Sequence, residues 1–404
     1  MPRTDQNQLS LQIVEWTARQ IHDPVWRLRY LQAMAPAAPA AFCKFRKAIG
    51  IVTCLAIALA AVPWSVRKPE VVAAAAVTPW PQPLRAAVSP AARPDTPKGA
   101  APVPDVWPVE QSSEYDLYSN GLRIENRFAV GHKPRRFVAY DASDPEGGRG
   151  EARTEPVGIV YHTTESLQAP FESSQNNVLK KVGEGLLEYV RRRRCYNFVI
   201  DRFGRVFRVV RESDAADHAG HSVWADDRFF YLDLNDSFVG ISFEAQTAGT
   251  SGAADFTVPG YATSGGAPTA DGPGGAAQIR AAAMLTEMLR SRYKIAGRNC
   301  VTHAQVSVNP SNMQVGYHVD WASSFPFETL GLPDNYASPS PAISLFGFAY
   351  DESFQQRAGP RLSAGALEAY RGLVDQAQAR RETLETYRKV LNRRYLRVTG
   401  KHRG

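Results

Sequence analysis

Cysteine is scarce in this 404-residue chain: there are four, and no two form a Cys-x-x-Cys pair. That excludes a disulfide-built scaffold and a cysteine-rich zinc knuckle. Cys195 and Cys300 fall in the expected core, where two buried free thiols are the preferred reading over a disulfide. Repeats at solenoid periods are absent, which excludes a stacked array. The arginines are not accompanied by an aromatic-rich nucleic-acid motif, so nucleic acid is not an expected partner. Acidic residues are in deficit, with 40 Asp and Glu against 47 Lys and Arg, a formal net charge of +7. The excess gathers at Arg191–Arg194 and in a basic tail from Arg371 to Arg403, and is read either as solvated helix faces or as contacts for an anionic polymer.

Long apolar runs are also rare. Ala48–Trp64 is a stretch of seventeen residues without a charge, bracketed by Lys44, Arg46 and Lys47 before it and by Arg67 and Lys68 after it. It sits at the short edge of a membrane span. Residues 1–47 hold seven Lys and Arg against three Asp and Glu, so an anchor at 48–64 would leave 1–47 in the cytoplasm and export the rest to the periplasm or cell envelope. A cleaved leader starting at Met34 and cut near Ala60 is the alternative, and it exports the same domain. Residues 65–105 are rich in Pro and Ala and predict a semi-extended linker.

The folded part is expected from 106 to 335, with a helical extension over 336–404. Short strands are predicted at 122–130 and 136–140. Val157–Tyr161 is a buried-strand run ending in His162, and 177–194 is helical, with Val178, Val182, Leu186, Leu187 and Val190 on one face. Residues 196–200 and 205–210 form a hairpin through Asp201-Arg202-Phe203-Gly204. Another strand follows at 238–244, then a Gly- and Ala-rich loop over 248–275, a helix over 276–293 and a short strand Cys300–Thr302. Strands alternating with helices predict an α/β fold, a mixed central sheet flanked by helices. The tail from Leu362 to Tyr395 predicts one long basic helix or two shorter ones.

Only eight histidines are present, so their placement carries weight. His162 and His303 both end predicted strands, where side chains from separate elements can converge. With Asp320 they make a two-histidine, one-carboxylate set of the kind that holds Zn2+ with one position open to water. His318 and Asp320 share a face if the chain returning from Gly316 is extended. His218 and His221 stand three apart in a loop, as an alternative metal pair or, preferred, as substrate or loop contacts. Tyr196 begins its strand, where its hydroxyl can donate to a developing oxyanion. Glu165, Glu244 and Asp236 are isolated carboxylates.

The blocks Ile159-Val160-Tyr161-His162-Thr163-Thr164, Tyr196 through Gly204, His218-Ala219-Gly220, Asn235 through Phe243, and Thr302-His303 with His318-Val319-Asp320 occur in this order. Together they resemble the type 2 N-acetylmuramoyl-L-alanine amidases, the zinc family that includes phage amidase lysozymes and peptidoglycan recognition proteins. The resemblance implies that His162, His303 and Asp320 hold zinc and that Tyr196 assists the attacking water or the oxyanion. Asn235 joins His218 and His221 as a candidate substrate contact. His318 stands where many members carry a catalytic Lys. Ser242 stands where many bacterial members carry a Glu, with Glu244, two residues on, as its substitute. The long segment between His303 and His318 admits a second register, in which His318 is the ligand and Asp320 orients it. The implied activity is zinc-dependent hydrolysis of the amide between N-acetylmuramic acid and L-alanine in peptidoglycan or muropeptides; the alternative is a non-catalytic recognition module of the same fold.

Overall fold

The computed structural model describes residues 103–166, 173–245 and 273–403. The expected anchor at 48–64, its flanking segment and nearly all of the linker lie outside these residues. Among the described residues, no helix is long and apolar enough to cross a membrane.

Along the chain come β1 (Pro108–Gln111), β2 (Tyr115–Tyr118), β3 (Arg123–Glu125), β4 (Phe137–Asp141), β5 (Gly150–Arg153) and β6 (Gly158–Thr163). Helix α1 (Asn176–Arg193) leads to β7 (Phe198–Ile200), β8 (Val206–Arg208), β9 (Val223–Ala225), β10 (Phe229–Leu232) and β11 (Phe238–Phe243). Then follow α2 (Pro273–Tyr293), β12 (Cys300–Thr302), α3 (His303–Val306), β13 (Val308–Asn309) and β14 (Gln314–Val315). Three helices end the chain: α4 (Pro341–Phe346), α5 (Glu352–Ala379) and α6 (Leu384–Arg403).

An eight-stranded mixed sheet runs in the order β1-β2-β3-β8-β7-β11-β6-β12. Its working half is parallel: β11 lies between β7 and β6, and β12 pairs with β6. Every residue of β6 and β11 is buried, because helices and a second sheet cover both faces, and this is why these strands read as continuous apolar runs. The second sheet, β5-β4-β10-β9, is antiparallel.

Helix α1 buries Leu179, Gly183, Leu187 and Val190, a face rotated from the expected one, and Val178 is exposed. The rotation keeps the i, i+4 spacing and leaves the longer polar side chains in water. Three of the four consecutive arginines close its last turn, where positive charge complements the helix dipole, and Arg194 takes the left-handed conformation that ends it. Cys195 and Cys300 are free and buried, and loss of solvent pushes both thiols up to about 12.

The C-terminal tail is two helices, not one. Arg380–Thr383 separates α5 from α6, and α5 is itself broken at Gly359-Pro360, where Gly359 has φ 72°. Ser323 bridges that break: its hydroxyl donates to the Ala358 carbonyl at 2.6 Å and accepts from the Leu362 amide at 3.0 Å. Leu373, Leu391, Tyr395 and Val398 are buried in the main core, and Phe346 of α4 packs edge-on against Phe230 and Tyr395. The extension is thus packed on the domain.

Candidate metal centre

Parallel pairing brings the two strand-end histidines together. Thr302 on β12 pairs with Tyr161 on β6, so His303 and His162 are the next residues along adjacent strands, at the carboxyl end of the sheet where α/β folds place their ligands. Their rings lie 4.5 Å apart. A capping box formed by Thr302 and Gln305 starts α3 at His303 and fixes where that side chain leaves the backbone.

Asp320 arrives from the following loop. His303 Nδ1 lies 3.0 Å from its Oδ1, and His162 Nδ1 lies 3.4 Å from its Oδ2. Ligand-capable atoms of His162, His303 and Asp320 all fall within 4.8 Å of one another, the one such cluster among the described residues. With bonds of about 2.0–2.1 Å, neighbouring ligands of a tetrahedral zinc stand roughly 3.3 Å apart, and His303 Nδ1 and His162 Nδ1 stand 3.2 and 3.4 Å from the one oxygen Oδ2 of Asp320. His303 Nε2, the ring nitrogen turned away from Asp320, is buried without a hydrogen-bond partner. The donor set of two imidazoles and a carboxylate therefore fits zinc.

The electrostatics favour ligand forms. Burial pushes the Asp320 carboxyl up, but the two histidines beside it, His303 foremost and then His162, outweigh that and hold the group well below its ordinary range. Burial and the neighbouring His303 push His162 down to about 4, leaving a neutral imidazole at neutral pH. The Trp321 indole anchors the loop by donating to the His162 carbonyl at 3.0 Å, with Trp321 itself held at φ 58°.

Tyr196 places its ring 5.2 Å from that of His162, and its phenol, raised well above 10 mainly by burial and touching the Ser242 hydroxyl, is a proton donor and not a phenolate at neutral pH. His318 stacks on His303, with centroids 4.3 Å apart and planes 20° from parallel. The chain from Gly316 to Asp320 is not a strand, so the expectation of an extended return sharing one face does not hold: Gly316 at φ 75° turns it, leaving His318 half-buried above His303 and Asp320 buried beside it.

Four of the expected site residues have other partners in the structure. Glu244 does not substitute at the Ser242 position; it is buried against Arg202, with a 2.5 Å ion pair and a second bond from the Arg202 amide. Asn235 is not turned to substrate, because its Oδ1 accepts from the amides of His218 and Ala219 at 2.8 and 2.6 Å. His218 is buried beneath His162, not in the cleft. His221 points elsewhere, 3.4 Å from Asp233, so the pair is not a second metal site. Arg135, Arg202 and Trp321, which organise these groups, carried no functional signal in the sequence: an arginine among basic neighbours reads as surface.

Residues 152–316 match the profile of a family described as N-acetylmuramoyl-L-alanine amidase. The match spans His162, Tyr196, His218 and His303 and ends before His318 and Asp320. None of the curated proteins compared matches the chain. Among solved structures, the chain is similar to the N-acetylmuramyl-L-alanine amidase AmiD from E. coli, in complex with the substrate anhydro-N-acetylmuramic acid-L-Ala-D-gamma-Glu-L-Lys. The identity is 15%, covering 66% of this chain and 98% of that one, with a TM-score of 0.33. It is also similar to AmpDh3 from Pseudomonas aeruginosa in complex with anhydromuramic pentapeptide, at 22% identity over 54% of this chain and 72% of that one, TM-score 0.31. The amidase LysC from Clostridium intestinale is 17% identical over 51% of this chain and 93% of that one, TM-score 0.24. The family profile, over residues 152–316, is thus that of the N-acetylmuramoyl-L-alanine amidases, the same family that the ordered sequence blocks resemble.

Proposed function

We propose that this chain is a zinc-dependent N-acetylmuramoyl-L-alanine amidase that cleaves the amide between the lactyl group of N-acetylmuramic acid and the L-alanine of the stem peptide. The observation that carries this reading is the buried His162–His303–Asp320 cluster at the carboxyl end of the sheet, with both histidines inside the segment that matches the amidase profile. When bound there, zinc supplies an activated water and polarises the scissile carbonyl. Tyr196 donates a hydrogen bond from its phenol to the carbonyl oxygen that becomes negative as water adds to the carbonyl carbon. His318, at the open side of His303, passes a proton to the departing amine of L-alanine, so that a carboxylic acid and a free stem peptide result. A non-catalytic recognition module has no use for a buried set of two histidines and a carboxylate poised around one point.

The same reading places the domain in the cell envelope, held there by residues 48–64 and spaced from the membrane by 65–105. Exposed Arg380 and Arg381 in the turn between α5 and α6, and Arg393 on α6, offer contacts to an anionic wall polymer.

Mass spectrometry of the purified full chain with defined muropeptides and anhydromuramyl peptides, with chelator and zinc add-back, tests the reading. Free stem peptide released only with metal is expected. Intact muropeptide throughout, from protein that binds both metal and ligand, would establish the recognition module instead.

A further inference from the structure

His218 packs against β11 at Gly240, where a side chain would collide with it: a Cβ on Gly240 would lie 2.6 Å from His218 Cγ. Its two nitrogens point at different partners. Nε2 faces the Phe238 carbonyl at 3.2 Å, and Nδ1 faces His162 Nε2 at 3.0 Å. A carbonyl can only accept, so the proton of His218 sits on Nε2 and its Nδ1 is left as an acceptor. The proton between the two rings therefore belongs to His162 Nε2, and the lone pair of His162 is on Nδ1, the atom that faces Asp320.

The far end of this chain is locked. Arg135, 1% exposed, donates to the Phe238 carbonyl at 2.8 Å and to the carbonyls of Glu212, Asn235 and Asp236. Another bond from it reaches Asn197 Oδ1, which also accepts from the Gly240 amide. Asn235 holds the backbone of His218 from the other side. The guanidinium thus fixes the carbonyl, the carbonyl orients His218, and His218 sets which nitrogen of His162 is free.

We propose that His218 is a positioning residue that selects the Nδ1-metal-binding tautomer of His162, with Arg135 and Gly240 holding it in register. This rests on the reading of His162, His303 and Asp320 as a zinc site. Orienting partners of a ligating histidine typically change metal affinity by about 10–100-fold.

The test uses the full chain and zinc itself, in competition with a chromogenic chelator, on His218→Asn, His218→Gln and His218→Leu. Asn carries an acceptor where Nδ1 stood, Gln carries its amide where Nε2 stood, and Leu carries neither. Zinc affinity near that of the native chain is expected for Asn, with a roughly 10–100-fold loss for Gln and Leu. Arg135 continues to satisfy the Phe238 carbonyl in every variant, so the loss falls on His162. Equal affinities in all three, or equal losses that track a fall in melting temperature of the metal-free protein, would overturn the proposal. Nitrogen-15 shifts of His162 in the metal-free native chain give a measurement independent of any variant: a proton on Nε2 is expected, and one on Nδ1 overturns it. Failure of the native chain to bind zinc would instead remove the metal-centre reading, and this inference with it.

Discussion

The ring of Phe354, from α5, fills the space that any side chain at Gly316 would occupy. Gly316 opens the turn that carries His318 and Asp320, so the C-terminal extension closes directly on the loop that completes the metal cluster. Backbone bonds from Val315 to the Ala349 carbonyl and from Ala349 to the Met313 carbonyl clamp the same loop. Phe354→Ala removes a buried aromatic and is expected to destabilise the protein by about 3–5 kcal/mol. Zinc affinity is expected to fall with it, as read by urea unfolding and chelator competition. Unchanged zinc affinity in the folded variant would show that the loop holds its shape without α5.

Glu244 and Arg202 are both buried, and removing one leaves the other's charge uncompensated. Glu244→Ala is expected to cost about 3–5 kcal/mol of stability while leaving turnover per folded molecule unchanged. Denaturant curves and active-site-normalised kinetics separate the two. A fall in kcat without a fall in stability would return Glu244 to the chemistry.

Tyr196→Phe keeps the ring against His162 and removes its phenolic proton. Turnover is expected to fall by about 10²-fold with zinc content unchanged, and His318→Ala to slow turnover while zinc stays bound. Loss of zinc from His318→Ala would favour the register in which His318 is a ligand.

In the metal-free protein, His162 resists protonation down to about 4, whereas in the unfolded chain it takes a proton near its ordinary 6.5. Between those values the unfolded state binds more protons, so stability is full above about 6.5 and declines as pH falls toward 4. Asp320, held low, adds stability that is present above its ordinary 3.8 and is lost only in stronger acid. Urea midpoints of the metal-free protein at pH 7, 5.5 and 4 should fall in that order. A flat series would contradict the buried neutral imidazole.

Salt offers a separate check on the basic C-terminal helices. If Arg380, Arg381 and Arg393 hold an anionic wall polymer, raising ionic strength should release the protein from wall preparations without changing turnover of small muropeptides. Loss of both together would locate the salt effect in the site itself.

Local pattern along the chain is enough to place several elements of this protein. Apolar runs marked β6, β7, β8, β11 and β12, the Asp201–Gly204 turn marked a hairpin, and β-prone residues ahead of His162 and His303 put both histidines at strand ends. Order alone also carried the family resemblance. What only the tertiary structure decided is which distant groups meet. The strand order β11-β6-β12 sets His162 beside His303, the fold of the 307–325 segment under α5 brings in Asp320, and a missing side chain at Gly240 lets His218 reach His162 from below. Glu244 and Ser242 lie two residues apart on one strand, yet Arg202 claims the first and Tyr196 touches the second. Periodicity records which face a residue takes; it holds no record of the partner that arrives there from far along the chain.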